Sequence, residues 1–399
     1  MQFLRRFFCV SILLIALPLQ AADISVDTTT DESDGSCADG DCSLRDAIDT
    51  AAAGDRVLVP AGTYTLTIGA LTPTVSMEIL GEDAQSTVID GDATNRVFDI
   101  NSGPITVTIE GLSIVNGRSG RGGGIAIREA TVVMRDCIVR DSSAFNAGGV
   151  AADQSTDLTI ERCAILDNLA DGNSGGGVLV DGSALTLLDS TVSGNSAPAA
   201  GRVGGGIAVF GSVRGGGGPS TVVIRNSTVV DNDAEDIGGG IYVGPGGHSV
   251  SVSNSIFANN PGFDCSPGVT SLGWNIDSDG SCNLVASGDQ PSTSPDLGPL
   301  GLNGGSTPNY LPNPGSPAID GGNPAAPDSG DATCTLADQR ELVIDGGDVC
   351  DIGAVESDGV PAGSGPPLPP AQAIPTLGPV GFLVLLLLMA VLGPVALRR

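Results

Sequence analysis

Hydrophobic and polar residues alternate in short stretches along the middle of the chain. In Leu158–Ile160, Leu185–Leu187 and Ile207–Val209, one threonine or alanine separates two large aliphatic residues. A period of two is typical of a half-buried β-strand, whereas an amphipathic helix has a period near 3.6. The pattern therefore predicts many short strands, and the stretches between them carry no helical pattern.

These strands belong to a repeat. Segments that end in Asn or Asp begin at residues 112, 137, 163, 190, 227 and 255, and a glycine-rich turn with a following β-branched residue lies between successive segments. Such a repeat indicates a solenoid, because one unit cannot bury its apolar face until a neighbour stacks on it. We predict an all-β, right-handed parallel β-helix over residues 56–260. Asn168, Asn195, Asn232 and Asn260 are then expected to stack at one turn.

The regions that flank the repeat differ in composition. Residues 1–22 contain two arginines, an apolar run and small residues at the end, which is the pattern of a secretory signal peptide. Residues 23–55 are expected to form an N-terminal cap with one short helix, for which Ser43 is the N-cap. Residues 261–356 are rich in Gly, Pro, Asn and Asp, and we expect a loop-rich C-terminal cap there.

The last part of the chain predicts a membrane anchor. A Pro- and Gly-rich linker at residues 357–373 precedes residues 374–399, which contain an apolar run from Val380 to Leu397 and two final arginines. An apolar helix of this length spans about 27 Å, close to the hydrocarbon core of a bilayer. Arginines favour the cytoplasmic side. We therefore expect a C-terminal transmembrane helix that holds an exported body outside the cytoplasm, in the cell envelope.

The cysteines predict disulfide bonds. Removal of the signal peptide leaves an even number of cysteines, eight, and in an exported chain such cysteines usually pair. Three predicted pairs are close in sequence: Cys37 with Cys42, Cys265 with Cys282, and Cys334 with Cys350. Cys137 and Cys163 form the fourth predicted pair, because they occupy the same position in consecutive coils, where stacked strands bring Cα atoms within disulfide range. The alternative for this pair is two buried free thiols.

Charge and composition limit the binding partners. The chain has 46 acidic and 17 basic residues, no lysine and a net charge of −29, so its surface repels nucleic acid. Aromatic residues make up only 3% of the chain, which weakens an interpretation based on sugar stacking. No cofactor is required. Asn275, Asp277 and Asp279 place oxygen ligands at alternate positions before a glycine, and they are the candidate ligands for calcium.

Three sets of motifs resemble known families. Residues 42–48, Cys-Ser-Leu-Arg-Asp-Ala-Ile, are similar to the motif of CSLREA-domain proteins. Four segments resemble the choice-of-anchor Q domain: 297–307, 315–320, Asp338-Gln339-Arg340 and 350–356. The four residues Ile374, Pro375, Thr376 and Leu377, followed by an apolar run and arginines, resemble the IPTL-type C-terminal sorting signal. The resemblance implies a bacterial cell-envelope β-helix protein whose C-terminus is handled by an exosortase-like membrane enzyme.

Two functional classes fit this sequence. The aspartate pairs used by β-helix hydrolases are missing, and His248 is the single histidine. We therefore predict a protein that is not an enzyme: an adhesin or surface-interaction protein with a glycan or protein ligand. The alternative is a polysaccharide-active enzyme, either a lyase or a glycoside hydrolase. A carboxylate cluster with a basic partner on one strand face would favour the enzyme, and carboxylates spread over the turns would favour binding.

Overall fold

Each sequence repeat forms one coil of a parallel β-helix. The computed structural model describes residues 21–38, 40–211, 218–343 and 349–361. In the most regular coils, the chain passes in turn through a first, second, third and fourth sheet, as in Thr131–Arg135, Ile138–Arg140, Ser143–Asn146 and Val150–Asp153. Neighbouring coils pair in parallel, and most pairs keep an unshifted register. Equivalent residues of successive repeats therefore stack on one another.

Within the described residues, the two longest sheets have ten strands each. The first sheet contains Asp23–Ser25, Arg56–Val59, Met77–Gly81, Thr106–Glu110, Thr131–Arg135, Asp157–Glu161, Ala184–Leu188, Thr221–Arg225, Ser249–Ser253 and Val269–Gly273. The second sheet contains Gly62–Thr65, Thr87–Asp90, Ser113–Val115, Ile138–Arg140, Ala164–Leu166, Thr191–Ser193, Thr228–Val230, Ile256–Ala258, Ile276–Asp277 and Gln290–Pro291. The stacking thus extends beyond both ends of the predicted span 56–260.

The other sheets of the described region are shorter. The third sheet contains Arg118–Arg121, Ser143–Asn146, Leu169–Ala170, Ser196–Ala197 and Asp233–Ala234. The fourth sheet contains Phe98–Ile100, Ile125–Arg128, Val150–Asp153, Val178–Asp181, Ile207–Phe210 and Ile241–Val243. Two short strand pairs follow, the antiparallel pair Leu297–Gly301 with Asn309–Pro312, and the pair Leu342–Val343 with Val360–Pro361.

The core consists of columns of aliphatic side chains. In the first sheet, one column comprises Val107, Val132, Leu158, Leu185, Val222 and Val250, all of which are almost completely buried. Burying one such side chain stabilises the fold by roughly 1.5–3 kcal/mol. The large aliphatic residues of the period-two pattern are therefore the strand residues whose side chains point into the core.

Asparagine side chains form the predicted ladder at the turn between the second and third sheets. The Oδ1 atom of Asn195 accepts hydrogen bonds from the backbone N (3.0 Å) and Nδ2 (2.9 Å) of Asn168, one coil away. Asn232 and Asn260 repeat this arrangement, and the ladder ends at the carboxylate of Asp264. The ladder satisfies buried backbone N–H groups that face no strand partner.

A second ladder explains why one predicted disulfide is absent. Cys137 and Cys163 are free, buried thiols, so the prediction of a bond between them is wrong. The Sγ atom of Cys163 lies 3.3 Å from the backbone N of Cys137, and the Oγ atom of Ser190 accepts a hydrogen bond from the backbone N of Cys163 in the same way. The thiol therefore takes the place of a serine hydroxyl and points at a backbone N–H group. The other three predicted pairs form disulfides.

The N-terminal helix closes one end of the core. It spans Leu44–Thr50, and the hydroxyl of Ser43 accepts a hydrogen bond from the backbone N of Asp46, as expected for an N-cap. Leu44, Ala47 and Ile48 are buried in the same cluster as the aliphatic columns. Arg45 is also buried and forms an ion pair with Asp31 at 2.8 Å, so this basic side chain of the cap is structural.

The segment that was expected to cap the far end runs back along the side of the β-helix instead. We call the described residues between 297 and 356 the strap. The side chain of Gln339 bonds to the backbone O of Cys163 (3.2 Å) and to Thr191 Oγ1 (2.7 Å), and Ala354 N donates to Thr228 Oγ1 (3.1 Å). The strap lies against the second sheet because the outward side chains there, such as Ile256, are aliphatic and need a cover.

Several predictions concern residues that lie outside the described ones. These are most of the signal peptide, most of the linker, the sorting motif Ile374–Leu377 and the C-terminal transmembrane helix. Among the residues that are described, no helix is long and apolar enough to cross a membrane.

Candidate functional site

A column of outward side chains, three of them charged, stands at the outer face of the fourth sheet. Arg128, Asp153, Asp181 and Phe210 end successive strands of this sheet and pair in register, so they lie one above another. Side chains of a strand alternate between the core and the outside. The residue before each of these four strand ends points into the core, so the four strand-end side chains point outward. We call Arg128, Asp153 and Asp181, together with Arg121, the charged column.

Arg121 joins the two carboxylates. It ends a strand of the third sheet, and its side chain reaches round the corner to the fourth sheet. Its Nε atom donates to Asp153 Oδ2 at 2.7 Å, and its Nη2 atom donates to Asp153 Oδ1 and, at 3.0 Å, to Asp181 Oδ2. Arg128 Nε lies 4.0 Å from Asp153 Oδ2. One guanidinium group therefore holds carboxylates from two coils.

Burial and the neighbouring charges act in opposite directions on the pKa of Arg121. Burial lowers the pKa of the Arg121 guanidinium, but the hydrogen bonds and charges of Asp153 and Asp181 outweigh that effect and raise it above its ordinary value. Arg121 stays protonated at any physiological pH. The Asp153 side chain is 6% exposed and that of Asp181 is 26% exposed, so Asp181 is the carboxylate that a ligand can reach.

The charged column was not predicted from the sequence, although the repeats carry a signal for it. Arg128, Asp153 and Asp181 each stand four residues after the last glycine of a Gly-Gly pair, so an alignment of the repeats places them at one position. Arg121 belongs to a different strand, and its contact with Asp153 spans 32 residues of sequence. This contact gives no periodic signal.

The candidate calcium ligands separate into two places. Asp277 and Asp279 lie with Asp264, and oxygen atoms of the three carboxyl groups are within 4.8 Å of one another. Asn275 instead extends a ladder, because its Oδ1 atom accepts a hydrogen bond from Ser255 N at 3.0 Å. Burial, Asp279 and the charge of Asp264 raise the pKa of Asp277 to about 7, although the backbone N–H of Cys282 opposes this shift.

The three carboxyl groups near Asp264 also have structural partners. Asp264 ends the asparagine ladder and accepts hydrogen bonds from the backbone N and hydroxyl of Ser278. Asp277 accepts hydrogen bonds from the backbone N atoms of Gly280 and Cys282. These bonds shape the loop that carries the Cys265–Cys282 disulfide. Three carboxyl groups at this spacing are able to hold a divalent cation, but their hydrogen bonds to the loop account for their positions.

Other residues raised by the sequence have ordinary structural surroundings. His248 Nδ1 accepts a hydrogen bond from Ser220 N at 3.0 Å, and His248 Nε2 lies 3.3 Å from Pro245 O. A cavity of about 260 Å³ beside the strap is lined in part by Asp231, Asp296 and Tyr310, and its described lining includes no basic side chain. The charged column, in contrast, combines the carboxylates and Arg128 of the fourth sheet with Arg121 of the third sheet.

A comparison with known protein families concerns the β-helix itself. The family model for the right-handed β-helix region matches residues 85–284. The chain belongs to this family. The predicted right-handed parallel β-helix is thereby confirmed. Among curated proteins, none matches the chain.

Two solved structures are similar to the chain. The Geobacillus virus E2 protein ORF18 is 16% identical with a TM-score of 0.40, and the match covers 67% of this chain but only 57% of the phage protein. The pectate lyase Pel9A is 13% identical with a TM-score of 0.41, and the match covers 84% of this chain and 95% of the lyase. At these identities the likeness concerns the fold alone.

The sequence-based prediction that the protein is not an enzyme is corrected. It relied on missing motifs, yet a solved structure matched along most of this chain is an enzyme, a pectate lyase. The absence of particular aspartate motifs from the sequence does not exclude catalysis, because function depends on the residues of the site and not on the fold.

Proposed function

We propose that this protein is an exported, polysaccharide-active β-helix enzyme of the bacterial cell envelope, and that the charged column is its reactive site. The observation that carries the proposal is that Asp153 and Asp181 lie next to each other on one strand face of the fourth sheet, where Arg121 of the third sheet binds both carboxylates. This is the arrangement of carboxylates with a basic partner that favours an enzyme over a binding protein. The second candidate remains a surface-interaction protein.

The chemistry that fits two neighbouring carboxylates is glycoside hydrolysis. In that reaction one carboxylic acid protonates the leaving oxygen and a second carboxylate attacks the sugar or activates water. Paired strands stand about 4.8 Å apart, comparable with the roughly 5–5.5 Å that separates the carboxyl groups of retaining glycosidases. Asp181 is the exposed member, so we assign it the reaction at the sugar carbon.

Arg121 and Asp153 have supporting roles in this proposal. In the free protein, Arg121 forms ion pairs with both Asp153 and Asp181. A bound sugar therefore has to displace the guanidinium group from one carboxylate before that carboxylate can act as the acid. Asp153 is nearly buried and fixes the guanidinium, which makes it a positioning residue until the substrate is bound. The pH profile of cleavage should therefore shift when Arg121 is replaced.

The experiment is a degradation screen with matched variants. The purified protein is incubated with neutral and acidic polysaccharides, with and without calcium, and new reducing ends are counted. We expect cleavage that falls about 100-fold or more in Asp181→Asn, because an amide can neither attack the sugar carbon nor activate water. Asp157→Asn, an exposed carboxylate on the first sheet, serves as the control and should leave cleavage unchanged.

Each other outcome has a defined meaning. Cleavage that survives in Asp181→Asn would overturn the assignment of the site. Binding of a polysaccharide without any product would reject the proposal of an enzyme and leave the proposal of a surface-interaction protein. A row of carboxylates at equivalent turns of successive coils, Asp141, Asp167 and Asp231, also favours that second candidate. Absence of both binding and cleavage would overturn a role in polysaccharide recognition.

We further propose that the protein is secreted through the signal peptide at residues 1–22 and anchored or sorted through residues 374–399. The three disulfides support an oxidising compartment outside the cytoplasm. In this proposal the C-terminal helix enters the membrane and an exosortase-like enzyme acts at Ile374–Leu377. Mass spectrometry of both termini of the mature protein is the test, and an intact N-terminus or an intact, membrane-free C-terminus would contradict it.

A further inference from the structure

Two aromatic rings lie next to the end of the charged column, in the two coils that follow Asp181. Phe210 occupies the position that follows Asp181 in register, so its ring extends from the same face. Tyr242 lies one coil further, at the position paired with Ala208, and its ring centroid is 5.4 Å from that of Phe210 with the planes tilted by 46°. Both side chains are half-buried. The two rings thus contact each other on the face that carries Asp181, and Phe210 follows Asp181 by one coil.

The pairing is notable in a chain so poor in aromatic residues. Phe, Tyr and Trp together number 13 of 399 residues. A low content by itself weakens an interpretation based on sugar stacking, but recognition depends on where the rings lie. Gly244 passes close beneath the Phe210 ring, and a Cβ atom at Gly244 would be 2.9 Å from Phe210 Cδ1. A glycine at this position therefore lets the ring lie against the neighbouring coil.

We propose that Phe210 and Tyr242 form a sugar-stacking subsite next to Asp181, and that the substrate is a neutral polysaccharide of pyranose rings with equatorial hydroxyl groups. Such rings expose an apolar CH face that packs on aromatic surfaces, as other apolar groups do. From Arg128 to Phe210 the column spans three strand spacings, about 14 Å. The polysaccharide therefore lies along the axis of the β-helix. This inference rests on the proposed function.

The charge of the protein selects the substrate class. With a net charge of −29, the protein repels a polyanion such as a polyuronate. In the column, Arg121 is already paired with two carboxylates, which leaves it poorly placed to neutralise a substrate carboxylate. Neutral sugars avoid both costs, and their hydroxyl groups find donors and acceptors in Arg128 and Asp181.

The test measures binding separately from cleavage. Affinity for neutral gluco-oligosaccharides and for oligogalacturonates is measured by calorimetry in an Asp181→Asn background, where the ligand stays intact. We expect Phe210→Ala and Tyr242→Ala each to weaken binding of the neutral ligand about three- to tenfold. Phe210→Trp should restore it. Phe145→Ala is the matched control, because this exposed ring lies outside the column on the third sheet.

The outcomes distinguish this inference from the proposed function. If the native protein cleaves polysaccharide but the aromatic variants bind and cleave as it does, the subsite is refuted and the enzyme stands. Tighter binding of oligogalacturonate than of the neutral ligand overturns the substrate class. If the native protein binds and cleaves neither ligand, both proposals fail. Circular dichroism of Phe210→Leu, which keeps apolar packing, separates loss of binding from loss of folding.

Discussion

Removing one amide from the asparagine ladder should destabilise the protein strongly. The side chain of Asn195 is fully buried. Its Oδ1 atom accepts two hydrogen bonds from Asn168, and its Nδ2 atom donates to Ile165 O (2.9 Å), Ser193 O (3.1 Å) and Asn232 Oδ1 (2.9 Å). In Asn195→Ala, at least the N–H group of Asn168 and the carbonyl of Ile165 lose these partners.

The expected loss follows from these two groups. A buried polar group left without a partner costs about 1–3 kcal/mol, so two of them cost about 2–6 kcal/mol. Asn195→Ser should cost less, because Ser142 already occupies this ladder position in an earlier coil, where its Oγ atom accepts a hydrogen bond from Gly117 N at 3.0 Å. We therefore expect the free energy of unfolding to fall in the order native, Asn195→Ser, Asn195→Ala.

Urea unfolding followed by circular dichroism measures this series. Asn101→Ala is the control, because Asn101 is exposed and should lose less than about 0.5 kcal/mol. Hydrogen exchange adds a local reading: the backbone amide of Asn168 should exchange faster in Asn195→Ala. A loss as small as that of the control, with unchanged exchange at Asn168, would falsify the view that the ladder stabilises the stack.

Two further predictions concern the thiols and the strap. Cys163→Ser should change the free energy of unfolding by less than about 1.5 kcal/mol, because serine fills the same ladder position in later coils. In the native protein, Cys137 and Cys163 should react with an alkylating reagent only after denaturation. Rapid labelling of the folded protein would contradict their burial. Burial, together with the charges of Asp351, Asp338 and Asp358, raises the pKa of Glu356 to about 9, although the backbone N–H of Asp351 opposes this shift. At a pH between the ordinary pKa of glutamate and this raised value, the folded protein therefore retains a proton that the unfolded chain releases. The stability that this group contributes is present below about pH 4.5 and declines as the pH rises towards 9, at up to about 1.4 kcal/mol per pH unit. In urea titrations at several pH values, Glu356→Gln should flatten the decline of the free energy of unfolding with pH. An unchanged slope would refute the assignment of this decline to Glu356.

Part of the fold was predictable because it is periodic. Alternating residues such as Leu158 and Ile160 face the core, and the glycine turns recur at one place in each coil, so the sequence predicts the β-helix and its asparagine ladder. The strap was not predictable, because its contacts follow no period. The bond between Gln339 and Thr191 spans 148 residues, and the Gly- and Pro-rich sequence around Gln339 does not indicate which sheet it will meet. The disulfide predicted for Cys163 failed for a related reason, since position alone does not show which way a buried thiol points.

The candidate site was not predicted because its residues are far apart in the sequence. Arg121 and Asp181 are 60 residues apart, yet coils stacked about 4.8 Å apart bring them into contact. A search for adjacent aspartates passes over such a pair, because in a solenoid the nearest neighbour of an outward residue lies one repeat away. Aligning repeats and comparing outward positions would have found Asp153 above Asp181. It would not have found Arg121, whose position depends on the corner between two sheets. An alignment of the repeats therefore identifies the residues that stack in one column of a β-helix. Their partners on neighbouring strands become visible only in the folded structure.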